Sequence, residues 1–105
     1  MAAERAVRAV LTMTVPPQAA AEFEREWAAV AEWVQGQAGC LRQTLSRVAG
    51  EEETTYVITS DWTDRGTYHH FETSSRQDGA TAGLRGLRTS VHMEVLEIID
   101  HRGDS

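Results

Sequence analysis

His69, His70 and His92 carry imidazoles, the side-chain type that can accept a proton near neutral pH. Adjacent helical side chains diverge by about 100°, so His69 and His70 cannot both face one substrate, and His70 is the preferred base of the pair. His92 shares its strand parity with Glu94, as a satisfied structural histidine or as a contact to a bound molecule. Three other side chains carry hydrogen-bond donors: the Tyr68 phenol, the Arg85 guanidinium and the Trp62 indole N–H. Each also has a plainer reading, Trp62 and Tyr68 as core aromatics and Arg85 as a solvated helix residue. Metal chemistry finds no support, since no HxH, HExxH or clustered Cys/His spacing occurs. Cys40 is the single cysteine, which rules out an internal disulfide and leaves a small, apolar packing role.

The elements that must position these residues are legible from periodicity. Ala6 to Val15 alternates, with Val7, Ala9, Leu11, Met13 and Val15 on one side, and reads as strand one. Pro16-Pro17 ends it and opens a helix. Phe23, Trp27, Val30 and Val34 recur at spacings of four, three and four, a single apolar stripe on a helix that ends near Gly36 to Gly39. Trp33 lies off that stripe, where a subunit contact would use it. Cys40 to Val48 and Thr54 to Trp62 form a hairpin around the acidic turn Ala49 to Glu53. Thr63-Asp64 can cap a short helix with Tyr68 and Phe71 three residues apart, followed by a second helical stretch from about Ser75 to Arg88. Strand four spans about Ser90 to Ile99.

The order strand, helix, strand, strand, helix, strand is the split βαβ arrangement of a ferredoxin-like α+β domain with a four-stranded antiparallel sheet. Right-handed crossovers put both helical segments on one sheet face. The other face then lies bare, and a second copy of the chain is its expected cover.

A length of 105 residues accommodates one domain, read here as 1–105. The net charge of -6, carried with ten Arg and no Lys, disfavours nucleic acid as a partner. No apolar run approaches the roughly 20 residues of a membrane span, and the first residues lack a secretory pattern, so a cytoplasmic, soluble protein is expected.

Four stretches resemble the antibiotic biosynthesis monooxygenases: Phe23 to Trp27, Gln37 to Arg42, Tyr56 to Trp62 and Leu84 to Ser90. The likeness is nearest to the branch that oxidises anthrone-type aromatic polyketides to quinones. This resemblance implies a dimeric α+β barrel with a pocket in each subunit, molecular oxygen as co-substrate and no cofactor. It matches Trp62, Tyr68 and Arg85 to pocket-lining positions, where they could supply the donors that stabilise a developing enolate or phenolate charge. His70 is the candidate base beside them, and Ile58, Phe71, Leu84 and His92 are candidate substrate contacts. Quinone-forming members often carry Asn in the pocket; this chain has none, with Ile58 at one such position. A haem-degrading relative would carry an Asn on strand one, a Trp at Phe71 and a His near Thr81, so haem is not implied. The expected activity is a cofactor-independent oxygenation in antibiotic biosynthesis. A polyketide cyclase or isomerase, and a non-catalytic small-molecule-binding module, are the alternatives on the same fold.

Overall fold

The computed structural model describes residues 5–48, 54–78, 86 and 90–103. Strand β1 (Val7–Val15) leads through a 3-10 turn (Pro17–Ala19) into helix α1 (Ala20–Gln35). Strands β2 (Cys40–Arg47) and β3 (Thr54–Trp62) follow, then helix α2 (Arg65–Asp78) and strand β4 (Ser90–Glu97). The sheet is antiparallel in the order β2-β3-β1-β4, the ferredoxin-like arrangement expected from the element order.

The alternation of β1 decides what each sheet face carries. Val7, Ala9, Met13 and Val15 are buried beneath the helices. Their register partners Trp62, Ser60, Tyr56 and Thr54 on β3, and Glu97, Val95 and Val91 on β4, share that face. One core cluster joins Val7 and Ala9 to Val34, Trp62 and Tyr68. A second joins Met13 and Val15 to Phe23 and Tyr56, and Leu11 and Val30 pack against both. The α1 stripe thus packs as its spacing requires. Phe23 stacks on Tyr56 with ring centroids 4.6 Å apart, and the Tyr56 hydroxyl donates to Glu24 Oε2 at 2.5 Å, fastening the first turn of α1 to β3.

Two expectations need correction. The proline pair does not start α1 directly, because Pro17–Ala19 forms a 3-10 turn and the α-helix begins at Ala20. The break expected between a short helix and a stretch beginning near Ser75 is absent, for α2 runs without interruption to Asp78. Local weakness of Ser74-Ser75 as helix formers is overridden by packing of the α2 face.

The α1–β2 connection is held by Gly39, whose φ of +87° lies in the left-handed region. A side chain there would also collide with α2, since a Cβ would stand 2.3 Å from Thr67 Cγ2 and 3.0 Å from Thr63 Oγ1. The Gly39 carbonyl accepts the Thr63 N–H at 3.0 Å, so this turn sits directly against the start of α2.

Candidate functional site

The site begins where β3 ends. Trp62 lies level with Val7 on β1 and Cys40 on β2, on the helix-covered face, and its ring has no exposed surface. Its indole Nε1–H donates to Ser60 Oγ at 2.9 Å. Two residues later, Asp64 caps α2: its Oδ1 accepts the Thr67 N–H at 2.7 Å and its carbonyl accepts the Tyr68 N–H at 3.3 Å. The backbone N–H of Thr67 holds the Asp64 carboxyl below its ordinary pKa. This cap fixes the rotation of α2 and so decides which of its side chains meet the sheet.

Those side chains are Tyr68 and Phe71, three residues apart. Phe71 stacks on Trp62 with centroids 4.7 Å apart and planes 27° apart, while Tyr68 meets Trp62 in a tilted contact at 5.6 Å. Trp33 of α1 closes the group at 5.8 Å from Phe71. It is half-buried and packs against the first core cluster within the chain. An indole is wide enough to reach the neighbouring α2 from a position beside the main stripe. Cys40 packs against the same cluster, and burial pushes its thiol pKa up.

The Tyr68 hydroxyl donates to Met93 Sδ on β4 at 3.4 Å. A thioether is a weak acceptor, so the phenol stands beside a soft, polarisable surface. Next to it on the helix-side face of β4, Val91 and Met93 remain 46% and 40% exposed, with Leu11 half-buried between them and Ile58. The result is an apolar floor on β1 and β4, with a fixed phenol at its edge and the Trp62–Phe71 stack behind that phenol. Met93 and Trp33 escaped the sequence reading as site residues, and Met93 carried a signal in its strand parity with Val91 and Val95.

The remaining expected site residues are distributed differently. Ile58 shares the covered face but packs into the second core cluster, between Leu11 and Leu45. His70 is exposed on α2, about 200° around the helix from Tyr68, and is not brought to the phenol. His92 pairs with Thr12 in register, which puts it on the opposite sheet face from Trp62, where its Nε2 lies 3.1 Å from Glu94 Oε1. Leu84 and Arg85 lie outside the described residues. A separate groove of about 400 Å³ runs between α1 and β2, past Trp27, Ala31, Cys40 and Arg42, and none of the expected site residues lines it.

Among the described residues no three His, Cys, Asp or Glu side chains gather as metal ligands. No described helix is long and apolar enough to cross a membrane.

Comparison with known proteins follows the same architecture. The profile of the family described as antibiotic biosynthesis monooxygenase matches residues 6–81. A variant of SnoaB, a cofactor-independent oxygenase from Streptomyces nogalater, superimposes with a TM-score of 0.82 at 25% identity, covering 95% of this chain and 99% of that one. A candidate antibiotic biosynthesis monooxygenase from Caulobacter crescentus gives a TM-score of 0.81 at 24% identity, over 92% of each chain. A conserved protein from Methanosarcina mazei gives 0.78 at 17% identity, over 89% of this chain and 92% of that one, a likeness of fold. No curated protein matches the chain.

Proposed function

Because the chain belongs to the antibiotic biosynthesis monooxygenase family, a membership that supports a general monooxygenase role, we propose that it oxidises a polycyclic phenolic or anthrone-type polyketide intermediate to a quinone. Molecular oxygen is the co-substrate and no cofactor takes part, as in the SnoaB likeness. The observation that carries the reading is the half-exposed apolar floor of Leu11, Val91 and Met93 beside the Tyr68 hydroxyl. A flat aromatic guest laid on that floor meets a phenolic donor at its rim, in a setting of low dielectric where such a donor acts strongly.

In the proposed reaction the ring methylene loses a proton to water to give a delocalised carbanion, and a proton is returned to the peroxide formed later. The carbanion passes an electron to dioxygen, the resulting radicals join as a carbon–oxygen bond, and loss of water leaves the carbonyl. One CH2 and one O2 become one C=O and one H2O. Tyr68 stabilises the oxygen on which the negative charge collects, and Arg85 supplies the second donor. Phe71, stacked on Trp62, backs the apolar wall. Trp62 is a positioning residue, since its enclosed ring acts through the two rings it fixes.

The helix-free face of the sheet is proposed to be covered by a second copy. Four strands about 4.8 Å apart and eight residues long present roughly 19 Å by 26 Å, about 500 Å² in projection, which is below the ~800 Å² per partner of standard interfaces and within the range of smaller ones.

Incubation with an anthrone under air, followed at visible wavelengths, tests the reading, with quinone absorbance growing and one O2 consumed per product. Turnover that continues without oxygen overturns it and favours a cyclase or isomerase, to which the absence of Asn in the sequence lends weight. Unchanged function after replacement of Tyr68 and Arg85 would instead favour a binding module.

A further inference from the structure

The helix-free face holds one charged cluster that the proposed oxidation does not use. Asp61 is only 1% exposed although no helix lies above it, because two guanidiniums close over it. Arg8 donates from Nε at 2.7 Å and from Nη2 at 2.9 Å, and Arg42 donates from Nη1 at 2.7 Å. Two cations against one carboxylate leave a surplus positive charge at this end of the face. Both guanidiniums keep solvent contact, with side chains 38% and 42% exposed.

The register fixes where the counter-charge lies. Arg42, Asp61 and Arg8 form one row across β2, β3 and β1, and that row meets Leu96 on β4. Glu94 stands one step along β4 on the same face, level with Val10, and His92 occupies its Oε1. These are the charged side chains of the described helix-free face, so that face is close to neutral within a chain of net charge -6. Its charge is polarised, positive toward the β2 edge and negative on the β4 edge.

Two such faces match each other in one way. A two-fold axis running along the strands between them lays β2 of one subunit over β4 of the other, and symmetry produces the match twice. We propose that the Arg8–Asp61–Arg42 cluster is the registering contact for a second copy of this chain, receiving the partner subunit's Glu94. The proposal rests on the dimer reading above and specifies its orientation. Charge matching of this kind sets register and partner choice more than raw affinity, and it offsets the repulsion between two acidic chains.

Sedimentation of the full chain across a concentration series tests this. The wild type is expected to dimerise, and Glu94→Arg and Arg42→Glu are each expected to raise the dimer Kd at least about tenfold. Combining both reversals is expected to restore the Kd to near the wild-type value. Since Arg42→Glu also puts a carboxylate beside Asp61, Arg42→Gln serves as a gentler variant, and circular dichroism of each confirms folding. A monomeric wild type overturns the dimer reading and this inference with it. A dimeric wild type whose Kd is unmoved by the single reversals, or a double reversal that fails to recover, overturns the registering contact alone.

Discussion

Replacing Gly39 with Ala tests the claim that the α1–β2 turn sets the position of α2, and with it Tyr68. Two separable penalties are expected. An L residue in the left-handed region costs roughly 1–2 kcal/mol. The added Cβ would also stand 2.3 Å from Thr67 Cγ2, more than 1 Å inside ordinary contact, and overpacking of that size costs typically 1–3 kcal/mol. Together the loss is about 2–5 kcal/mol, which for a domain of this size lowers Tm by at least about 8 °C. Thr67→Ser removes the colliding methyl while keeping the Thr67 backbone N–H on Asp64. In the Gly39→Ala background it should therefore recover the steric part and leave the backbone part, a coupling of about 1–3 kcal/mol in a double-mutant cycle read by urea unfolding. A Gly39→Ala loss below about 1 kcal/mol, or a Thr67→Ser change that is simply additive, would refute the reasoning.

Removing the phenol oxygen with Tyr68→Phe should lower kcat on an anthrone by about 10²-fold, the scale for one donor to a developing oxyanion, with unfolding free energy changed by less than about 1 kcal/mol. Burial, reinforced by the hydrogen bond to Glu24, pushes the Tyr56 pKa up to about 12. Its contribution to stability is thus present below the unfolded pKa of about 10 and is lost between pH 10 and 12, and ultraviolet titration should show one tyrosine ionising near the upper limit. The hydrogen bond from Arg8, with help from Arg42, holds the Asp61 carboxyl below its ordinary range. Stability from that group is present above about pH 4 and is lost as pH falls through the lower folded pKa, so Asp61→Asn should flatten the acid limb of the pH–stability curve and destabilise the protein at pH 7 by about 1.5–3 kcal/mol.

Much of the fold was legible because it rests on local pattern. The alternation through β1 and the Phe23–Trp27–Val30–Val34 stripe each describe a surface that must be buried on one side, and turn residues punctuate them. The end of α2 was less legible, since Ser and Gly propensities near residue 75 argue for a break that burial of Tyr68 and Phe71 overrides. Within the candidate site, the three-residue spacing of Tyr68 and Phe71 foretold their shared face. The Trp33 contact did not follow from α1 alone, because it depends on how close α2 passes.

The sequence by itself determined which residues alternate within each strand, which helix face is apolar, and therefore the order and type of the elements. Only the tertiary structure decided which parity of β4 faces the same way as Trp62. Pairing Leu11 with both Ile58 and Met93 puts Met93 beside the Tyr68 hydroxyl and turns His92 and Glu94 to the other face. Periodicity states that neighbours along a strand point apart, whereas the face each one reaches is set by hydrogen bonding to a strand some eighty residues away in the chain.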